Sequence, residues 1–179
     1  PADVKMTSEP LAPGAHAIYL NRQSECHETW SKHVQSNYFR IKILTPEGRS
    51  YGNIVIPYVK GFSDVSAFKA RTIGPDGTVK EISPELYDQL IEKLPGVKIQ
   101  AKTVSIPDLQ PGSILEYRYN LGLEGDCAWG AVWDISSNLF TRKADFSLKS
   151  DGRLNVRWSW PAGLPPGTQP PKQDPDHFI

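Results

Sequence analysis

The sequence predicts a mainly β protein, an antiparallel β-sandwich of about nine or ten strands. Apolar and polar residues alternate with period two along most of the chain, which places them on opposite faces of strands. Clusters of Pro, Gly and Asp interrupt this alternation at short intervals, as turns do. The 179 residues include five Trp, seven Tyr and six Phe, so large apolar side chains are available for a core. A chain of this length buries roughly 70% of its unfolded surface.

The first clear strand carries Phe39, Ile41 and Ile43 on one face. The segment Thr45–Arg49 follows, with a Pro of fixed φ and a Gly that tolerates positive φ. Alternation returns over Tyr51–Tyr58. We therefore expect these two strands to form a hairpin.

A second hairpin is expected from Val65–Ile73 and Thr78–Ile82. The residues between them, Gly74–Gly77, include Pro-Asp-Gly, which is a strong turn signal. This pair follows the same pattern as the first.

Residues 84–94 fit a short helix or a strand. Ser83 is a helix N-cap residue, and Pro84 suits the first helical position. Apolar residues then recur at helical spacing. The segment is barely three turns long and lies among strands, so a strand remains the alternative. The apolar residues are Tyr87, Leu90, Ile91 and Leu94.

The rest of the chain again alternates as strands do. Val97–Ile106 is one strand, and Pro107–Gly112 breaks the pattern. The next strand carries Leu115, Tyr117, Tyr119 and Leu121 on one face, with Glu116, Arg118 and Asn120 opposite. Further strands are expected around Trp129–Trp133, Phe140–Leu148 and Leu154–Trp160.

The chain divides into an N-terminal tail over residues 1–16, a sandwich over 17–160 and a Pro-rich segment over 161–179. The last segment has six prolines in nineteen residues and favours extended polyproline-like chain. We expect an apolar strand to start at His177–Ile179. We expect this segment to lead into a further C-terminal part of a longer protein.

Composition argues against two classes of partner. Lys and Arg together number 20, as do Asp and Glu, and no basic run is present, so nucleic acid is not expected as a partner. No apolar segment approaches the roughly 20 residues that span a bilayer. No cofactor is predicted.

Cys26 and Cys127 are the two cysteines, and we expect them either to form a disulfide or to be separate buried thiols. A catalytic Cys26 would need a nearby base, but His27 points to the opposite strand face, and nothing in the spacing requires His16 or His33 to approach. The cysteines and histidines also lack the paired spacing of a zinc site. We expect no catalytic residue and no metal.

Two groups of residues are candidates for binding. Arg71 and Arg118 lie on the polar faces of strands and are candidates for an anionic partner, with pairing to neighbours such as Glu116 as the alternative. Aromatic pairs two or four residues apart fit either a sugar-binding platform or core packing. These pairs are Trp129 with Trp133 and Trp158 with Trp160.

Six strings of residues, in this order, run through about three quarters of the chain. They are Arg40–Arg49; Phe68–Ile73 with Pro75–Gly77; Ala101–Thr103 with Ile106–Asp108; Pro111–Ile114 with Glu116–Tyr119; Leu139–Arg142; and Trp158–Trp160 with Leu164–Gly167. In these strings the chain resembles a bacterial β-rich domain of unknown function that precedes transglutaminase-like, papain-like cores in secreted or periplasmic proteins.

The resemblance implies a non-catalytic accessory domain of a larger bacterial protein, located in the periplasm or outside the cell. Its partner would be the downstream transglutaminase-like domain of the same chain, which it would position or whose access it would shape. None of that core's Cys, His and Asp can be matched here. The alternatives are a module that binds cell-surface glycan or peptidoglycan, and a structural or oligomerising sandwich.

Overall fold

The computed structural model describes residues 2–29, 32–123, 137–150, 163, 172–174 and 177–178. In this part of the chain the structure is mainly β, as predicted. A four-residue helix, α1 (Ala2–Lys5), and a 3-10 helix, Pro46–Gly52, are the two helical segments described. Neither has the length and apolar character needed to cross a membrane.

Eleven strands are described, nine of them with four residues or more. In chain order they are β1 (Ala17–Thr29), β2 (Lys32–Ile43), β3 (Asn53–Val59), β4 (Ser63–Ile73), β5 (Val79–Ile82), β6 (Tyr87–Leu94), β7 (Val97–Ser105), β8 (Ile114–Leu123), β9 (Ala144–Ser150), β10 (Gln173–Asp174) and β11 (His177–Phe178).

The strands form two sheets. The larger has the order β10-β11-β9-β1-β2-β8-β4-β5, and the smaller has the order β3-β7-β6. All described pairs of strands are antiparallel except β1 and β9, which are parallel. The predicted antiparallel β-sandwich is thus confirmed, with one parallel pair in the larger sheet. Parallel neighbours need a long connection, and more than 100 residues separate these two strands.

The core lies between the two sheets. Ile41 and Leu115 project from the larger sheet, while Ile54 and Ile56 project from the smaller, and all four are buried. They belong to one continuous apolar cluster, which also contains Tyr117. Facing apolar surfaces of this kind define a sandwich.

A second, smaller apolar cluster lies on the outer face of the larger sheet. The N-terminal segment covers it, because Val4 and Met6 pack against buried Ile18. The ammonium group of Lys42, which is also buried, donates to the backbone carbonyl of Val4 at 2.9 Å. Charge and packing together fasten the start of the chain to the sheet.

The first predicted hairpin is wrong. β2 pairs with β1 and β8, whereas β3 belongs to the other sheet and pairs with β7. The 3-10 helix Pro46–Gly52 carries the chain from one sheet to the other. Its Pro and Gly, which suggested a hairpin turn, serve this crossover, and buried Gly48 lets the chain pass against the backbone of His16.

The second predicted hairpin is confirmed, because β4 and β5 pair in an antiparallel register. The amide of Gly74 donates to the carbonyl of Thr78 at 2.8 Å, and Gly77 has a φ of 87°. Asp76 accepts from the amide of Thr78 at 2.9 Å, which closes the turn. These are the residues that predicted it.

The short helix considered for residues 84–94 is wrong, because Tyr87–Leu94 forms β6 and pairs with β7. A bulge between Leu90 and Glu92 interrupts the register. The apolar residues at helical spacing are all exposed, so no packing would stabilise so short a helix. Pairing with β7 satisfies the backbone instead.

The strands expected around Val97–Ile106 and Leu115–Leu121 are confirmed as β7 and β8. The strand expected from Phe140 begins later, since β9 starts at Ala144. Those expected around Trp129–Trp133 and Leu154–Trp160 lie outside the described residues.

Candidate functional site

An ionic cluster lies on the outer face of the larger sheet, around Glu116 in β8. Because side chains alternate along a strand, Tyr117 points into the core while Glu116 points outward. The register places Arg40 of β2 opposite Glu116 on one side and Arg71 of β4 opposite it on the other. Strand pairing alone therefore brings both guanidinium groups to one carboxylate.

The carboxylate of Glu116 is only 3% exposed and is fully engaged. One oxygen accepts from the guanidinium of Arg40 and, at 3.0 Å, from the hydroxyl of Tyr38, while the other accepts from Arg71. Burial acts to raise the pKa of Glu116, but the hydrogen bonds from Arg71 and Tyr38 and the charge of Arg40 hold it below its usual value. Glu116 is therefore ionised at neutral pH.

A cavity of about 310 Å³ opens beside this cluster. Arg118 and Lys69 lie opposite each other across β8 and β4, and both are exposed. Within the described part of the chain, neither forms an ion pair, whereas Arg71 is engaged by Glu116. Two cations without counter-ions at the edge of a cavity can bind a carboxylate through charge-assisted hydrogen bonds. The lining residues are Tyr38, Lys69, Ala70, Arg71, Glu81, Glu116, Tyr117 and Arg118.

Arg71 and Arg118, the two arginines selected from the sequence, thus line the same cavity. The alternative of pairing to Glu116 holds for Arg71 and not for Arg118. Sequence reasoning missed Lys69, which a β-bulge between Ser66 and Lys69 brings opposite Arg118. A bulge changes which face of the sheet the following side chains occupy, and the alternation of apolar and polar residues does not reveal where a bulge lies.

The other candidates are only partly described. Cys26 is buried and forms no disulfide with another described residue. Burial, and secondarily the charge of Glu28, raise the pKa of this thiol to about 12, so it is neutral at ordinary pH. Its predicted partner Cys127 lies outside the described residues, and the disulfide stays a prediction. The four tryptophans of the two aromatic pairs, Trp129, Trp133, Trp158 and Trp160, also lie outside them.

The structure brings Glu28 and His33 to Cys26, a grouping that we did not expect from the sequence. Cys26 and Glu28 are two residues apart on β1 and so share a face, and His33 lies opposite Glu28 on β2. A hairpin prediction for residues 17–43 would have revealed this grouping.

A second surface feature is apolar. Every residue of β6 is exposed, and four large apolar side chains lie along it, which we call the β6 patch. β6 is also an edge strand, which in the described part of the chain pairs with β7 alone. The patch consists of Tyr87 (61% exposed), Leu90 (55%), Ile91 (51%) and Leu94 (45%).

The fold and these sites define the chain as a mainly antiparallel β-sandwich domain with a charged face and an exposed apolar edge. Residues 31–177 match the family model of a domain of unknown function with solved structures, DUF3857. The match covers most of the chain, which therefore belongs to this family. The predicted resemblance to a β-rich domain of unknown function is confirmed at this level. A search of curated proteins finds no match.

Among solved structures, the chain is similar to a putative protease from Parabacteroides distasonis ATCC 8503, with a TM-score of 0.64 and 15% identity. The likeness covers 91% of this chain and 34% of that one, so the chain spans about a third of that structure's length. At this identity the likeness shows the fold alone.

Two further structures are more distant. Yeast LTA4 hydrolase in complex with bestatin has a TM-score of 0.40 and 11% identity over 99% of this chain and 30% of that chain. An M1 zinc metallopeptidase from Deinococcus radiodurans has a TM-score of 0.35 and 10% identity over 82% of this chain and 35% of that chain. These scores are too low to carry an argument.

Proposed function

We propose that this chain is a non-catalytic accessory domain of a larger secreted or periplasmic protein, in which it packs against a transglutaminase-like core. The observation that carries the proposal is the fold match over nearly the whole chain to one third of the Parabacteroides structure. The resemblance of the sequence strings to domains that precede such cores supports the same reading. The domain would position the core and shape access to its cleft.

The β6 patch is the surface that we assign to this contact. Exposed apolar area is released from water when a partner covers it, at roughly 25 cal/mol per Å². An edge strand also offers unpaired backbone groups to a partner. Beside the patch, a groove of about 480 Å³ is lined by Val55, Tyr87 and Thr103, so the surface offers a recess as well as an apolar edge.

The first test is to read the natural gene beyond the codon for residue 179. We expect it to encode a papain-like core with Cys, His and Asp. A stop codon directly after Ile179, or a downstream sequence without such a core, would contradict the proposal.

The second test is made on the full-length protein with the double variant Leu90→Asp and Ile91→Asp. Two charges in the contact should uncouple the domain from the core, so a shared thermal transition should split into two. Val79→Asp is the matched control, because Val79 is a similarly exposed apolar residue on the edge strand β5 of the other sheet. If the double variant unfolds like the control, the β6 patch is not the contact.

The cavity beside Glu116 supports a second candidate function, recognition of a carboxylate on a substrate or partner. Arg118 and Lys69 support it, because neither has an ionic partner among the described residues. We expect Arg118→Ala to weaken binding of an oligoglutamate peptide, measured by fluorescence anisotropy at low salt, about tenfold. Arg49→Ala, which removes an exposed cation elsewhere, is the control. Equal affinity of both variants would exclude the cavity as the binding site.

A further inference from the structure

Cys26, Glu28 and His33 form a compact cluster near the end of the β1–β2 hairpin. The thiol sulfur of Cys26 lies 3.2 Å from Nε2 of His33. Nδ1 of His33 lies 3.7 Å from the same sulfur and 2.6 Å from Oε1 of Glu28, so this ring nitrogen faces both other residues. Each residue offers one ligand atom, and these atoms lie within 4.8 Å of one another.

The cluster is built into the hairpin by strand geometry. Cys26 and Glu28 point to the same face of β1 because they are two residues apart. Glu28 pairs with His33 across the two strands. The neighbours Glu25 and His27 are of similar chemistry but are exposed, so only one set of potential ligands is turned inward.

The arrangement Cys-His-Glu resembles that of a cysteine nucleophile with its base and orienting acid, but burial argues against that chemistry. Cys26 is 0% exposed, so a substrate carbonyl has no route to its sulfur. A small ion is a better match to the site than a substrate.

The ligand set favours zinc. Zn²⁺ accepts Cys sulfur at roughly 2.3 Å, His nitrogen at roughly 2.0 to 2.1 Å and carboxylate oxygen at similar distance. Ligand atoms on one tetrahedral ion with such bonds lie roughly 3.5 Å apart, close to the observed spacing of sulfur and nitrogen. One thiolate, one carboxylate and a neutral imidazole around Zn²⁺ sum to zero charge, which is the arrangement that burial penalises least.

We propose that Cys26, His33 and Glu28 form a Zn²⁺ site that fastens the end of the β1–β2 hairpin. Binding releases the thiol proton of Cys26 to solvent, and the sulfur, an imidazole nitrogen and a carboxylate oxygen become ligands. Three protein ligands leave the fourth tetrahedral position to water. This site is independent of the docking proposed for the β6 patch.

The test uses the full-length protein, stripped of metal by a chelator under reducing conditions and then titrated with Zn²⁺ or Co²⁺. We expect one ion per chain at this site. Cobalt should give a near-ultraviolet thiolate-to-metal charge-transfer band, which an adventitious surface site without sulfur lacks. This readout on the wild-type protein decides the question even if a variant fails to fold.

Variants then assign the ligands. Cys26→Ser should remove the charge-transfer band, and both Cys26→Ser and Glu28→Gln should weaken zinc binding at least tenfold. Glu25→Gln and His27→Ala are matched controls on the exposed face of the same strand and should bind as the wild type does. The proposal is overturned if cobalt gives no thiolate band, if Cys26→Ser retains the ion, or if mass spectrometry of protein isolated without reductant shows Cys26 bonded to Cys127.

Discussion

Glu116 is the residue on which the charged face of the larger sheet depends. Its carboxylate accepts hydrogen bonds from Arg40, Arg71 and Tyr38 at once. The pairing of the surrounding strands holds all four side chains in place. Arg40 is largely buried as well, so it relies on this one carboxylate and on Asp3 for counter-charge. The cluster is therefore a structural unit that also positions Arg71 at the cavity.

Replacing Glu116 with Gln should lower the free energy of unfolding by about 3 kcal/mol, because a buried guanidinium loses its counter-ion. Glu81→Gln is the matched control. Glu81 pairs with the same Arg71 at 3.8 Å but is mostly exposed, so its loss should cost less than about 1 kcal/mol. Urea unfolding at neutral pH measures both values. Equal losses would show that the Glu116 cluster adds no more than a surface ion pair.

Acid should remove the contribution that the ionised Glu116 carboxylate makes to the free energy of unfolding. The pKa of Glu116 in the folded protein lies below its ordinary 4.5, so the folded state favours the ionised form. The resulting stabilisation is fully present above the unfolded pKa and is lost as the pH falls through the folded pKa. The stability gap between wild type and Glu116→Gln should thus be constant from pH 7 to 5 and narrow below 4.5. A constant gap down to pH 3 would contradict this assignment.

At the scale of elements, the 3-10 helix Pro46–Gly52 determines how the two sheets are connected. It leads out of β2 and into β3, and it passes close to the chain that precedes β1. The carbonyl of His16 accepts from the amides of Leu44 and Thr45 at 2.9 and 3.2 Å. The crossover is thus tied to the start of the sandwich.

Gly48→Ala should destabilise the fold by roughly 1 to 3 kcal/mol, the usual cost of overpacking. A Cβ at Gly48 would collide with the carbonyl oxygen of His16, which is backbone and cannot move away freely. Gly122→Ala is the matched control, since no atom of the described residues lies within 4 Å of its added Cβ. Thermal unfolding compares the two. A Gly48→Ala protein as stable as Gly122→Ala would show that the crossover adapts without cost.

Alternation predicted those elements in which one face is buried and the other is not. β8 follows the pattern because Leu115 enters the core while Glu116 faces outward, and the β4–β5 hairpin follows because Pro-Asp-Gly forms its turn. β6 was ambiguous since all its residues are exposed, so no packing selects a period. The crossover was missed because local turn residues do not specify which strand comes next in space.

The candidate sites were predictable only in part for the same reason. Arg71 and Arg118 could be identified as outward-facing, but their meeting at one cavity depends on the order of β4 and β8 in the sheet. The cluster of Cys26, Glu28 and His33 depends on the register of β1 and β2. Neither sheet order nor register can be read from the alternation of a single strand.

At the scale of the whole molecule, the two sheets differ in how completely they are covered. The outer face of the larger sheet carries the N-terminal segment near Ile18 and the ionic cluster at Glu116. The smaller sheet ends in β6 with its apolar side chains in solvent. Exposed apolar side chains gathered on one edge strand are typical of surfaces that a partner covers.

Hydroxyl-radical footprinting of the full-length protein tests most directly whether the proposed transglutaminase-like domain covers the β6 patch. Phe62 and Val79 are internal controls, because they are about as exposed in the domain as the patch residues. We predict that Tyr87, Leu90, Ile91 and Leu94 are protected from oxidation while both controls react. Oxidation of the patch as extensive as that of Phe62 and Val79 would contradict the proposed contact.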